Sequence, residues 1–380
     1  MKQRTRVNAG RFADSCRTNT VLNSAAQYIY LNITHRPARW EGREEPQSPP
    51  GEHAVRVAFL CDEMTWMDFS PLCRAVFLRP GAWREQMGAF APELLFCEAC
   101  WAGIPPYEGC WQGRIYRNRK VLFENRRVLL EILAYCRERG IPTVFWNKED
   151  PTLFGHTRYD FTDTALRFDT ILTTAAECVD RYRALGARQV FPFPFGVNTA
   201  LFCPDGTQCV PGTVLFAGSW FGDQPERCRA LAALLDDALE KGLKLDIYDR
   251  HSGTAAERFR FPEKYRPYLR PAVPFAQMPA LSRRYEWAIN VNTVTDSATM
   301  CSRRVLQMAA CGLKLRSNPA AALEQIRGIE IIGRRRDGAI VELRGDWPEL
   351  ARWQSTERRF DFLLEHTLPQ REREGTAGCG

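Results

Sequence analysis

The chain has 380 residues, 45% of them hydrophobic and 26% charged, which suits two globular domains and excludes the disordered class. No apolar run approaches the roughly 18 residues of a membrane span, and Met1 to Thr20 is polar with no hydrophobic leader, so a cytoplasmic protein is expected. The net charge of +7 is small and scattered; it suits an anionic ligand or a membrane surface as well as nucleic acid, though no evident face interleaves basic residues with aromatics as nucleic-acid binding would ask.

Fourteen cysteines in so long a chain read as reduced, buried thiols. The Cys97 to Cys100 pair lies at an apolar strand end with no second pair and no nearby His. Packing is therefore favoured over zinc or redox chemistry, and no metal site is expected.

Residues 1–53 show no sustained periodicity and close on the breaker cluster 45–52, so they are expected to be a poorly ordered extension. From Val55 strands and helices alternate. The strands expected first are Val55–Cys61, Glu93–Cys97, Thr143–Trp146, Thr170–Thr173 and Gln189–Phe191. Between them, helices are expected at Trp83–Phe90, Val128–Arg139, Phe161–Arg167 and Ala175–Leu185. Residues 198–212 carry two Pro and two Gly without a period and read as a linker between domains 54–197 and 213–345. A second series follows: strands Val214–Ala217, Lys244–Tyr248 and Glu286–Asn290, with helices Pro225–Lys241, Phe275–Arg284 and Thr299–Cys311. Trp347–Leu368 reads as one amphipathic helix in a closing segment, 346–380. Repeated strand–helix–strand units imply parallel sheets, hence an α/β protein of two Rossmann-like lobes with a cleft between them. Ligands of such sheets bind beyond the carboxyl ends of the strands.

Those loops hold the candidate residues. After the strand ending at Asn290, a polar loop containing Asn292 leads to a helix that Ser297 or Thr299 would cap, with Arg303 and Arg304 one turn in. Two arginines at that end of a helix sit badly with its dipole unless an anion is bound; otherwise they are solvated or paired with acids. Gln307 shares a face with Arg303 and could bond ribose hydroxyls. Gly218 and Ser219 follow another strand and would let backbone approach a phosphate, with Arg227, Asp249 and Arg250 on the same rim; a tight turn is the alternative. In the first lobe, Asn147, Lys148, Glu149, Asp150 and His156 form a polar wall, as do Asp62 and Glu63. Glu149 or Asp150 would serve as a base or hold a sugar hydroxyl; a salt-bridge cluster is the alternative. The complete Gly-x-Gly-x-x-Gly fingerprint of a dehydrogenase is missing.

Several stretches together resemble the CgeB-type (spore maturation) glycosyltransferase-like proteins. They are Phe59 to Trp66, Thr143 to Pro151, Phe216 to Ser219, Pro225 to Arg227, Ile247 to Arg250, and Asn290 to Asn292 continuing through Arg303 and Arg304. The resemblance spans roughly residues 55–330 and implies the GT-B fold and a metal-independent glycosyltransferase using a nucleotide-sugar donor, with no cofactor. It places a nucleoside diphosphate on the helix carrying Arg303 and Arg304 and on the Gly218–Ser219 loop; with the loops read above, the donor is expected on Gly218, Ser219, Arg227, Asp249, Asn292, Ser297, Thr299, Arg303, Arg304 and Gln307, with Arg303 first for the diphosphate. Asp62, Glu63, Asn147 and Lys148 would face an unidentified acceptor, with Glu149, Asp150 and His156 as catalytic candidates. Many GT-B enzymes carry Glu where this chain has Gln307, and the run after Gly312 differs too. Those departures support a second reading, a degenerate relative that binds a nucleotide or glycan as an assembly factor.

Overall fold

The computed structural model describes residues 20–31 and 55–368. Most of the expected N-terminal extension, and the tail after 368, lie outside the described residues. Within that expected extension, Thr20–Ile29 is a helix. It is tied to the first lobe by the bond from Asn118 to Gln27 (3.0 Å) and by Arg114, which donates to the Leu31 carbonyl (2.6 Å).

The first lobe is one six-stranded, wholly parallel sheet. Its strands are β1 (Arg56–Leu60), β2 (Arg74–Phe77), β3 (Leu94–Glu98), β4 (Thr143–Asn147), β5 (Thr170–Thr173) and β6 (Gln189–Pro192), in the order β2-β1-β3-β4-β5-β6. β3, β4 and β5 are buried along their whole length, which is why they read as continuous apolar runs. β2 and the helix Glu63–Phe69 are too short and polar to be picked out by periodicity.

The second lobe has seven strands in the order β12-β13-β11-β10-β7-β8-β9. They are β7 (Val210–Gly218), β8 (Lys244–Asp249), β9 (Leu269–Arg270), β10 (Tyr285–Asn290), β11 (Lys314–Ser317), β12 (Ile329–Arg334) and β13 (Val341–Gly345). β7 begins inside the stretch read as linker. This sheet is not wholly parallel: β13 runs antiparallel to β11 and to β12. The cause is the short turn at Asp337 and Gly338, where Gly338 takes φ 72° and Asp337 accepts the Ala339 N–H at 3.0 Å. A connection of that length can only reverse the chain.

The expected closing helix is two helices, Trp347–Gln354 and Thr356–Thr367, parted by the extended Ser355 (ψ 154°), whose hydroxyl caps the second. The break lets them serve different lobes. Leu350 packs into the second-lobe core, whereas Phe360 and Leu363 complete the first-lobe core, Phe360 lying 6.1 Å from Phe69 between ring centres. Phe360→Ala should therefore cost about 3–5 kcal/mol, read as a fall in the urea midpoint. An unchanged midpoint would show that the last helix is not part of the first-lobe core.

Candidate functional site

Both sheets have a switch point where neighbouring strands send their connections to opposite sides, and at such points loops part to leave a crevice. In the first lobe it lies between β1 and β3, and in the second between β7 and β10. The loops leaving these four strands carry most of the polar residues that matter.

On the first-lobe side, Asp62 follows β1 and Glu98 ends β3. Lys148, just after β4, ion-pairs with both at 3.0 Å. Asp62 also accepts the backbone N–H groups of Trp101, Ala102 and Gly103 at 2.8–3.0 Å, so its carboxylate organises the loop after β3. Burial opposes the Asp62 charge, yet Lys148 and those N–H groups hold its carboxyl well below the ordinary range. Lys148 is raised in turn: burial works against its charge, and Asp62 and Glu98 more than offset it. Glu98 is fully buried and takes the Thr65 hydroxyl and the Asp62 N–H, both at 2.5 Å. Sequence reading passed over it, because one Glu at the end of an apolar strand looks like a boundary.

Glu149 differs from these. Its Oε1 accepts the Trp101 indole N–H at 2.8 Å, and its Oε2 has no hydrogen bond among the described residues. Burial raises its carboxyl above the ordinary value, with Lys148 pulling the other way. Glu63 is half-buried nearby, raised by burial and then by Glu108.

Asp150 and His156 do not join this wall. Asp150 is wholly buried and bonded by Asn147 (2.9 Å), Thr173 (2.7 Å) and Tyr182 (3.1 Å), so its lone pairs are spent inside the lobe. Asn147 is likewise buried, giving its other amide hydrogen to Tyr182 at 2.8 Å. His156 accepts the N–H groups of Arg158 and Tyr159 at its Nδ1, both at 3.1 Å, and stacks on Tyr159. It stabilises a turn. The Cys97 and Cys100 thiols are buried, and Cys100 donates to Asp62 at 3.1 Å.

On the second-lobe side the helix expected from Thr299 begins only at Arg304 and has seven residues. Neither Ser297 nor Thr299 caps it, and the Ser297 hydroxyl instead accepts the Thr299 and Met300 N–H groups of its own turn at 3.3 and 3.0 Å. Ser297 donates to Glu177 at 3.0 Å, and Thr299 both donates to the Thr174 carbonyl (2.8 Å) and accepts the Ala176 N–H (2.9 Å), so the loop is stitched to the first lobe. Arg303 crosses the same way. It pairs with Asp68 at 3.0 Å, the two side chains being 8% and 3% exposed, and is not turned to the rim as expected. Asn292 is locked with Asn290, Ser317 and Asn318, and Asp249 bonds the His251 N–H of its own turn at 2.9 Å.

What remains at the switch point is a cluster of three arginines. Arg227 donates to the Ser219 carbonyl (3.0 Å), and Arg304 donates to the Ala217 carbonyl (3.0 Å). Arg250 follows β8, and its N–H meets the Gly218 carbonyl at 3.0 Å. Among the described residues none of the three has a carboxylate within ion-pair distance. Burial first, then repulsion from Arg227 and Arg250, pushes the Arg304 guanidinium down to about 9. Burial, with a smaller contribution from Arg250, pushes Arg227 down to about 10. Ser219, 1% exposed, adds a hydroxyl with no hydrogen-bond partner among the described residues. Gly218 makes the approach possible, since a Cβ there would stand 2.8 Å from the Arg304 guanidinium. The Gln307 amide also makes no hydrogen bond among the described residues.

The described architecture, two Rossmann-like lobes with parallel-dominated sheets, is of the GT-B type. No protein-family model matches the chain, and no curated protein matches it. Among solved structures it is similar to an α-glucosyltransferase in complex with UDP, at 10% identity over 82% of this chain and 90% of that one, TM-score 0.44. It is also similar to sucrose-phosphate synthase from Thermosynechococcus elongatus (13%, 79% and 77%, TM-score 0.42) and to a glycosyltransferase from Rickettsia africae (7%, 72% and 82%, TM-score 0.41). At these scores the likenesses say nothing of the site, which stands on its own residues.

Burial lifts the Asp150 carboxyl from 3.8 to about 7. Between those values the folded chain keeps a proton that the unfolded chain has lost, so this group makes stability fall as pH rises from about 4 to 7. Asp150→Asn should flatten that part of the stability profile, measured by urea unfolding at stepped pH. A slope identical to the parent would mean Asp150 is ionised throughout.

Proposed function

We propose that the chain is a glycosyltransferase that takes a sugar from a nucleoside diphosphate donor. The observation that carries this reading is the cluster of Arg227, Arg250 and Arg304, none with a carboxylate in ion-pair contact among the described residues, around the Ser219 hydroxyl, which has no hydrogen-bond partner among them; Glu149, Asp62 and Asp249 act on Arg250 only from farther off. Arg227 is buried, Arg304 half-buried and Arg250 exposed; gathered in mutual repulsion, they favour an anion of more than one charge among them. A diphosphate meets that need, and as a leaving group it gains charge during transfer. Fixed guanidinium groups then stabilise the transition state more than the ground state. They also do the work for which a divalent metal is otherwise recruited, so the reaction is proposed to proceed without one. The CgeB-type affinity rests on the sequence stretches alone.

Across the cleft, Glu149 offers an unbonded carboxylate oxygen in a setting that favours its proton-bound form. It is suited to take a proton from an acceptor hydroxyl or to hold a hydroxyl of the donor sugar. The Gln307 amide, three residues after Arg304 on the same helix and unpartnered among the described residues, would hold the ribose without adding charge. The alternative, a protein that binds the donor without turnover, differs from this one only in what Glu149 and the acceptor do.

Arg304→Ala should weaken binding of the nucleoside diphosphate that raises the melting temperature most by about 10- to 100-fold, as expected for a lost charge-assisted contact. Equal thermal shifts in variant and parent would refute the cradle. Release of nucleoside diphosphate from its sugar should survive chelation by EDTA, and abolition by EDTA with rescue by Mg²⁺ would contradict the metal-independent reading. Donor binding without any release, with acceptor panels tried, would favour the non-catalytic alternative.

A further inference from the structure

β7 and β8 end side by side, Gly218 opposite Asp249, so the loops that follow them rise together from the sheet. They are fastened by the Gly222 N–H, which donates to the Arg258 carbonyl at 2.7 Å. Between them stand three aromatic rings. His251 stacks on Phe259 at 3.7 Å between centres and 16° between planes, and Phe221 meets both edge-on at 6.2 and 5.7 Å. All three are half-buried, and none belongs to the apolar cores of either lobe. Aromatic side chains held together at a sheet's carboxyl end, outside any core, are not accounted for by packing.

Their position supplies the account. Arg227 joins the stack to the arginine cradle: the guanidinium that bonds the Ser219 carbonyl also lies 4.8 Å over the Phe221 ring. Arg250 of the cradle is the residue before His251. We infer that this aromatic stack seats the nucleobase of the diphosphate ligand, an inference that rests on the donor reading above. The bases are planar and π-faced, so stacking accepts them whatever their hydrogen-bonding edge. Arg258 lies 4.5 Å over Phe259, but it is an exposed side chain with Asp223 as a second partner at 3.5 Å. A stacked base displaces such a guanidinium, because stacking outweighs a cation–π contact at an exposed site. Burial, then Arg250, keeps the His251 imidazole below its ordinary value, which favours the neutral ring.

Calorimetric titration with inorganic pyrophosphate and with UDP, GDP, ADP and CDP separates the base from the phosphates. At least one nucleoside diphosphate should bind about tenfold tighter than pyrophosphate. Phe259→Leu and His251→Leu should each erase that margin while pyrophosphate affinity stays as in the parent. A margin that survives in both variants overturns the inference, as does a parent that prefers no nucleoside diphosphate to pyrophosphate. Loss of pyrophosphate affinity in both variants also overturns it, since the stack would then serve the cradle and not a base. Pyrophosphate that fails to bind the parent, or binds Arg304→Ala equally well, instead removes the donor reading underneath.

Discussion

The ion pair between Arg303 and Asp68 is the contact on which the relation of the two lobes depends. It lies between the helix Glu63–Phe69 of one lobe and the start of the helix Arg304–Ala310 of the other, and it is almost sealed from water. Phe195 and Trp146 lie under the guanidinium at 4.6 and 5.5 Å. A pair in such a place adds little net stability relative to apolar side chains, but parting it strands a buried charge, which costs about 3–5 kcal/mol. It therefore acts less as glue than as a fixed register, and the bonds of Ser297 and Thr299 to the first lobe hold the same register a few residues upstream.

That register gives two adjacent arginines opposite tasks. Arg303 is neutralised by the first lobe; Arg304, one residue on, is turned to the cradle and left without a carboxylate. Had both been paired, the switch point would hold no excess of positive charge. Had neither been, a fourth cation would stand among Arg227, Arg250 and Arg304. The first lobe answers with the reverse arrangement: Lys148 is consumed by Asp62 and Glu98, which leaves Glu149 with an oxygen to spare among the described residues. The facing walls thus carry unlike charge.

The two lobes, the parallel strands and the loops of interest were legible in the sequence, because fully buried strands such as Thr143–Asn147 announce themselves as apolar runs closed by helices of regular period. That Gly218, Ser219, Arg227 and Glu149 lie at or beyond the carboxyl ends of those strands was legible in the same way. The division of labour between Arg303 and Arg304 was not, since it depends on Asp68, 235 positions away in the chain. Asp150 misled for a related reason. Its neighbours in sequence suggested a polar loop, but Thr173 and Tyr182 close over it from the next strand and helix. The antiparallel hairpin at the end of the second sheet was missed because Ile329–Arg334 alternates half-buried and exposed residues and looks like loop.

The return of the last helix to the first lobe has a consequence for how the chain is made. Phe360 and Leu363 fill a core whose other members mostly precede residue 195. A chain emerging from the ribosome can form the second lobe's sheet before the first lobe's interior is closed, because the plug for that interior follows the second lobe in the sequence. Domains usually complete in order of synthesis. Here the lobe translated before the other is sealed after it, and until then its apolar surface is in the care of whatever attends the nascent chain.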